Sequence, residues 1–484
     1  MRAAIPADPV LDNVRKTFPM KMMTALALIL VSAPAAYAAG PLDNESFIDQ
    51  IGSSNNATVS QKSGNNNQAT FEAGKFNSVL STQAGGTPGT NNSANVQIGN
   101  DNTAAISQKN GNNNQATTQI GRANGVTTSQ VSNLANGLNN SGNLQAGDFN
   151  SAMTTQNNSP PNSQATGVSY VNSSFSAQFG SGNSVVATQT GGQNGQGTFQ
   201  TGTGNMSFVT QSDKSITPAS AAVVGGNNTS FTAQFGDNNM VTTSQKTADA
   251  SGTGGFANGY GNTSAAFQAG SDNVATISQN GSAKNGSFSA NPGTFNASSM
   301  VQVGSDNDVS VKQGGSTAGN FGATTAAQAA NDTNASFVGQ FGSSNTAGIN
   351  QANGANTQAT FQTGNGNTAT IGQKTQPLGT GNGANNAVTA QFGTGNTASV
   401  AQSMAVPLSI GNNNSLITQI GGSNVANAAQ STGQQATAGN NTQVALQVGF
   451  GNVATVTQAT GANVANTSFT AQYGVHNIAV VSQK

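Results

Sequence analysis

Hydrophobic and polar positions alternate in short runs along this chain, and the runs stay in phase with one another. Asn102, Ala104, Ile106 and Gln108 occupy alternate positions, and Asn452, Ala454, Val456 and Gln458 repeat the series near the other end. A period of two places such residues on one face of a β-strand. No apolar stripe with a 3.6-residue period runs through these segments, and Gly, Asn, Ser and Thr are poor helix formers. The pattern therefore predicts short strands carrying small apolar residues between two amides, which suits a narrow interior between sheets stacked about 10 Å apart.

The runs belong to a repeat, Gln-x-Gly-x-x-Asn-x-(Ala/Val)-x-x-x-Gln, whose internal spacings never change. Its sixteen copies open at Gln50, Glu72, Gln97, Gln119, Gln145, Gln178, Gln200, Gln234, Gln268, Gln302, Gln340, Gln362, Gln391, Gln419, Gln447 and Gln472; Glu72 alone breaks the opening Gln, and Ser207 alone replaces the Ala/Val. Six residues before every opening position stands another Asn, from Asn44 to Asn466, so each copy is two Asn-x-x-x-x-x-Gln half-units. A repeat this short cannot bury a core alone and must stack on its neighbours. The expected fold is all-β: a parallel β-solenoid of strand-arc-strand coils over residues 44–484, with two stacked parallel sheets.

Successive copies lie at least 22 residues apart, and the spacing reaches 38 between Gln302 and Gln340. All the extra residues fall between a closing Gln and the next Asn, so loops of variable length leave a single edge of the stack, and Pro160, Pro161, Pro218, Pro292, Pro377 and Pro407 lie in those insertions. The other arc, Gly-x-x-Asn, is constant. Its glycines, among them Gly52, Gly99, Gly121, Gly236, Gly449 and Gly474, accept positive φ, and Asn tolerates that region as well. Stacking sets like residues on like, so columns of identical amides can satisfy one another, as in cross-β ladders. Candidate ladder residues are Asn44, Gln50, Asn55, Gln61, Asn91, Gln97, Asn102, Gln108, Gln234, Asn239, Gln245, Gln447, Asn452, Gln458, Gln472, Asn477 and Gln483. At the four tightest junctions the residue two past the Asn is Gln (Gln68, Gln115, Gln196, Gln358), a preference the sequence does not explain.

Composition narrows the function. Charged residues make up 6% of the chain and the net charge is −1, which removes the usual electrostatic argument for nucleic acid or an anionic membrane as partner. With no cysteine there is no disulfide framework, thiolate metal site or Cys nucleophile. His476, the one histidine, falls in the last Gly-x-x-Asn arc, and the carboxylates form no pair that recurs in a geometry for acid–base work. The reading is a protein with no catalytic, metal or cofactor site. Arg15, Lys16 and Lys21 precede an apolar run from Ala25 to Val31 and then Ala36-Tyr37-Ala38, the layout of a secretory signal peptide cut after Ala38. That apolar run is too short to span about 30 Å of hydrocarbon. Met20 is an alternative start, residues 39–43 form a short N-terminal segment, and no transmembrane segment is expected in the mature chain.

The spacing, the 22-residue minimum period and the signal layout closely resemble the curlin repeat of curli, the secreted amyloid fibres of bacterial biofilms. The resemblance covers residues 44–484. It implies a subunit that polymerises outside the cell by templated stacking, a Gram-negative source, an outer-membrane secretion pore, a nucleating subunit and periplasmic chaperones that hold back early assembly. This chain carries more repeats, with longer insertions, and has Asn where curlin repeats usually have Ser.

The last motif closes at Gln483, so open solenoid ends are expected to recruit further copies end to end. Phe175/Phe179, Phe231/Phe235, Phe337/Phe341 and Phe469/Tyr473 have the opposite parity to the opening Gln and should face outward, as a surface for lateral packing or attachment; the competing assignment makes them the core. Thr58/Ser60, Thr127/Ser129, Thr242/Ser244, Thr276/Ser278 and Thr455/Thr457 form an outward hydroxyl array, interrupted at Leu80, Met153, Phe208 and Val480. That array carries the alternative reading, a monomeric surface adhesin or an ice- or crystal-binding protein. Asp101, Asp148, Asp237, Asp272 and Asp306 lie in the constant arcs and are candidate gatekeepers that slow aggregation.

Overall fold

A computed structural model of the chain describes residues 44–85, 89–133, 137–158, 170–213, 227–248, 261–282, 295–314, 333–352, 355–375, 384–404, 411–432, 439–461 and 464–484. The expected signal peptide, residues 1–38, the short segment 39–43 and the six prolines named above lie outside the described residues. Thirty-two strands form two parallel sheets of sixteen strands each, an all-β parallel solenoid. Odd-numbered strands make sheet A and even-numbered strands sheet B, so each repeat contributes one strand to each sheet and forms one coil.

The first coil is β1 (Asn44–Ser53) and β2 (Asn56–Lys62), the second β3 (Asn65–Lys75) and β4 (Ser78–Ala84), the third β5 (Thr90–Asn100) and β6 (Thr103–Lys109). The sixteenth is β31 (Ala465–Val475) and β32 (Ile478–Gln483). Every coil pairs in register with the next: Asn44 lies on Asn66 and Gln50 on Glu72 in sheet A, and Gln61 lies on Gln83 in sheet B. Insertions leave this register untouched, because Gln302 still lies on Gln340 across the longest junction.

The interior lies between the sheets. Sheet B supplies most of its apolar volume, through residues such as Ala104, Ile106, Val241, Ile277, Val311 and Ile371, all buried. Sheet A adds mainly hydroxyls and amides, with a few larger residues such as Met300 and Ile417. One continuous apolar cluster runs from Val241 to Ala454, whereas Val79, Ala104 and Ile106 form a small separate one. Ser207, at the position that is otherwise Ala or Val, is fully buried with its hydroxyl 3.3 Å from that of Thr198.

The constant arc is built from two left-handed residues. Its Gly has φ between 104° and 132° in all sixteen coils, and the residue two further on has φ between 53° and 67°. This second position corrects the expectation for the arc Asn. The left-handed residue is the one before the Asn: Ser54, Phe76, Asp101, Ala123, Asn238 or His476, for example. The Asn itself enters the next strand with its side chain inside.

Candidate functional site: amide columns, outer faces and ends

Four amide columns run along the solenoid. Gln97 Nε2 donates to Gln119 Oε1 at 2.7 Å, Gln119 to Gln145 at 3.0 Å, and the series continues to Gln447 and Gln472 at 2.8 Å. In sheet B the closing glutamines form an unbroken series, from Gln61 to Gln83 at 2.8 Å through to Gln458 and Gln483 at 2.7 Å. Each amide does more than bond its neighbour. Gln108 Nε2 also reaches the carbonyls of Asn92, at 2.8 Å, and Asn113, at 3.1 Å, tying the two sheets together across the interior.

The asparagines donate in the opposite direction. Asn91 Nδ2 reaches back to Asn66 Oδ1 at 2.8 Å, and Asn466 reaches back to Asn441 at 3.3 Å. In the arc column Asn102 donates both its backbone N–H, at 3.2 Å, and its Nδ2, at 3.1 Å, to Asn77 Oδ1, and its Nδ2 also reaches the Gly121 carbonyl of the following coil at 3.0 Å. Asn239 and Asn452 repeat this pattern, and Gln234 and Gln245 hold the equivalent column places in the middle of the stack. All the predicted ladder residues between the terminal coils are buried; Asn44, Gln50, Asn55, Gln61, Asn477 and Gln483 lie on the end coils and are partly or wholly exposed. An unmatched buried amide costs about 1–3 kcal/mol, so the columns turn a polar interior from a liability into a register lock.

The arc glycines form a column of their own. A Cβ on Gly52, Gly99, Gly121, Gly236 or Gly449 would lie 1.8–2.1 Å from the carbonyl oxygen of the next coil's Gly. Glycine is required there twice, for its φ and for the contact. At Gly474, in the last coil, the nearest atom to such a Cβ is Asn477 Nδ2 at 3.6 Å.

The opening column has one fault. Gln50 donates to Glu72 Oε2 at 2.5 Å, but Glu72 has no N–H to pass on. Glu72 Oε1 and Gln97 Oε1, both buried, are left without a hydrogen-bond partner. Burial holds the Glu72 carboxyl above its ordinary range, and the Gln50 bond opposes that shift in part.

The extra glutamines at the tight junctions find local partners. Ser46 Oγ donates to Gln68 Oε1 at 3.0 Å, and Gln68 Nε2 donates to Thr70 Oγ1. Ser93–Gln115–Thr117, Ser174–Gln196–Thr198 and Ser336–Gln358–Thr360 repeat this relay. The signal was present in sequence as a Thr two residues after each Gln, but only the register brings the Ser of the preceding coil alongside. Gln443 lacks that Thr, and its Nε2 has no partner.

No protein-family model matches this chain, and no curated protein matches it.

The outer faces differ in character. Gln234 is fully buried while Phe235 is 37% exposed, which sets the aromatics outside. Phe175, Phe231, Phe337, Phe469 and Tyr473 are likewise exposed on sheet A, with Phe179 and Phe341 half-buried among them. Phe179, Phe199, Phe235 and Phe267 stack as a ladder with centroids 5.5 Å apart, and Phe341, Phe361 and Phe392 form a second one. Thr58/Ser60, Thr127/Ser129, Thr242/Ser244, Thr276/Ser278 and Thr455/Thr457 point out from sheet B. Of the arc carboxylates, Asp101, Asp272 and Asp306 take the left-handed position, with φ of 54–57°. Asp148 Oδ1 accepts from the Arg122 N–H and Asp237 Oδ1 from that of Thr203. His476 sits exposed in the left-handed position of the last arc.

At both ends, among the described residues, the outer edges of β1, β2, β31 and β32 pair with nothing. Gln472 Nε2 and Gln483 Nε2 reach carbonyls of the interior but have no Oε1 beyond them. At the opposite end the Oε1 atoms of Gln50 and Gln61 receive no donor. The asparagines are the mirror case, with Asn44 Nδ2 unused at one end and Asn466 Oδ1 at the other.

Proposed function

We propose that this chain is a secreted structural subunit that assembles end to end into extracellular curli-like amyloid fibres, serving biofilm matrix and surface attachment. One observation carries this reading: the two ends are complementary. The last coil offers glutamine donors and an asparagine acceptor, and the first offers glutamine acceptors and an asparagine donor. A contact of this head-to-tail kind does not close and extends as a filament. The same columns, with successive amides about 4.8 Å apart along each, would run through the junction without a break. The likeness of the repeat to the curlin repeat supports the same reading, and with it a nucleating subunit, a secretion pore and periplasmic chaperones as partners.

Dilution of residues 39–484 from denaturant, followed by electron microscopy and fibre diffraction, tests the proposal. Filaments with a meridional reflection at about 4.7–4.8 Å are expected. A product that stays monodisperse and lacks that reflection rejects it. The hydroxyl array on sheet B favours a second reading, a monomeric adhesin or ice binder, but exposed Leu80, Met153 and Val480 interrupt it. Thermal hysteresis by a monomeric sample would select that reading.

A further inference from the structure

Three of the outward side-chain columns of sheet A stand at the positions three before, one before and one after each opening residue, between an asparagine-rich column five before it and the exposed arc-end places of Lys75, Arg122, Asp148 and Asp237. From the second coil to the sixteenth, none of the three columns carries a charge. The lysines Lys62, Lys109, Lys246, Lys312 and Lys374 all lie on the outer side of sheet B. Register also orders the sizes of the sheet A side chains. Phe175 and Phe179 flank Ala177; in the next coil Phe199 lies between Gly197 and Thr201; then Phe231 and Phe235 flank Ala233, and Phe267 lies between Ala265 and Ala269. The rings close over the small residues between them, so that Ala177 and Ala233 are buried and the columns form one apolar surface. Fifteen strands about 4.8 Å apart and three columns about 7 Å apart span on the order of 1,000 Å². That exceeds the few hundred Å² of apolar patch normal on a monomer and matches the roughly 800 Å² per partner of a stable interface.

We propose that this face packs against the same face of a second copy, setting two solenoids side by side. A copy of this chain is the occupant because its coils repeat at the same spacing along the stack, so apolar side chains stay in step along the contact; the three columns themselves also bury no unpaired charge. The pairing does not depend on end-to-end growth. Its test compares the full chain with F231K/F267K/F337K/F361K and with a sheet B control, T242K/T276K/S310K/T370K. If filaments form, mass per length is read by electron microscopy; if not, soluble mass is read by sedimentation. The full chain and the sheet B control should show twice the value of the sheet A variant. A single-solenoid value for the full chain overturns the proposal, as does binding to phosphatidylcholine vesicles in place of pairing. Where the Lys variant loses its strand signal by circular dichroism, the four-Thr version, which keeps strand propensity, takes its place.

A separate observation concerns Glu72. Two buried acceptors, Glu72 Oε1 and Gln97 Oε1, face along the column where every other coil has a donor and an acceptor. We infer that Glu72 is a proton-operated break between the second and third coils: ionised, it opposes acceptor to acceptor; protonated from solvent, its O–H donates to Gln97 and closes the column. No other charge settles the matter from nearby. By strand parity Glu45 and Asp49 on β1 and Lys62 on β2 point outward, Lys75, Asp101 and Lys109 are exposed, and β4 and β5 carry no charged residue. A carboxyl held above its ordinary value of 4.5 stabilises the fold below that value and loses the contribution as pH rises through the folded pKa. Hydrogen-exchange protection of residues 44–84 in the full chain, corrected for intrinsic rates, should therefore fall by about tenfold or more between pH 4.5 and pH 8. E72Q should show high protection throughout. An unchanged pH profile in E72Q, or lower protection than the wild type at pH 8, overturns the inference.

Discussion

Glycine enters this protein at two kinds of position that look alike in sequence and differ in physics. In the arc of the twelfth coil, Gly364 has φ 117° and a Cβ there would lie 2.0 Å from the Gly393 carbonyl oxygen. Two residues later Gly366 has φ 64° with nothing within 4 Å of such a Cβ. The first site excludes any side chain; the second needs only a residue that tolerates the left-handed region, as Asn238 does in the eighth coil. Gly364→Ala should lower stability by about 2 kcal/mol or more, through strain plus displacement of the neighbouring coil. Gly366→Asn should change it by less than about 0.5 kcal/mol. Paired thermal melts check both, and equal effects would refute the distinction. Sequence alone showed the constant Gly but not the left-handed residue after it, because Ser, Asp, Phe, Ala and His share that place and only the backbone unites them.

At the scale of the strand, the buried polar groups work through relays that cross from one coil to the next. Ser336 Oγ donates to Gln358 Oε1 at 2.9 Å, and Gln358 Nε2 then donates to Thr360 on its own strand. T360V keeps the shape and removes the acceptor, so it should cost about 1–3 kcal/mol by leaving a buried amide unsatisfied. Q358S in the same background, restoring the residue most other coils use here, should recover most of the loss. If T360V is neutral in chemical denaturation, the relay carries no weight. The relay makes sense of the Gln at tight junctions without making it specific to them, since Gln443 follows a long insertion. The alternation of Asn, small residue, medium residue and Gln along each strand was legible in the sequence. The pairing of Ser with Gln was not, because the partners lie 22 residues apart and meet only when the coils are in register.

Over the whole molecule the interior changes character. The continuous apolar cluster covers Val241 to Ala454, while the early coils place amides at central positions, and Asn95 Oδ1 and Asn143 Oδ1 find no partner there. Local opening follows the balance of apolar burial and unsatisfied polar groups. Amides of coils three to five should therefore exchange faster than those between Val241 and Ala454; uniform protection along the stack would contradict this. The arc carboxylates bear on assembly in the proposed fibre. Asp101, Asp272 and Asp306 hold the left-handed position that Asn238 also holds, and Asp148 and Asp237 accept backbone bonds that an Asn oxygen could accept as well. Changing all five to Asn thus removes charge with little effect on the backbone, and as gatekeepers they predict a shorter assembly lag in the variant. An unchanged lag, followed by light scattering, would assign these carboxylates to the turns alone.

The sequence by itself determined the strands, the two sheets, the constant arc and the edge that accepts insertions, because each follows from spacings that never vary and from a side-chain period of two; a period of two does not choose between faces, and the burial of Gln234 beside exposed Phe235 turned the amides inward. Only the tertiary structure decided which atoms meet between coils. It opposed Glu72 to Gln97 without a donor between them, carried the arc's second turn on the residue before the Asn, and stacked the sheet A aromatics into staggered ladders. These depend on the direction of each hydrogen bond and on the stacking of residues from different repeats, quantities a one-dimensional pattern does not contain.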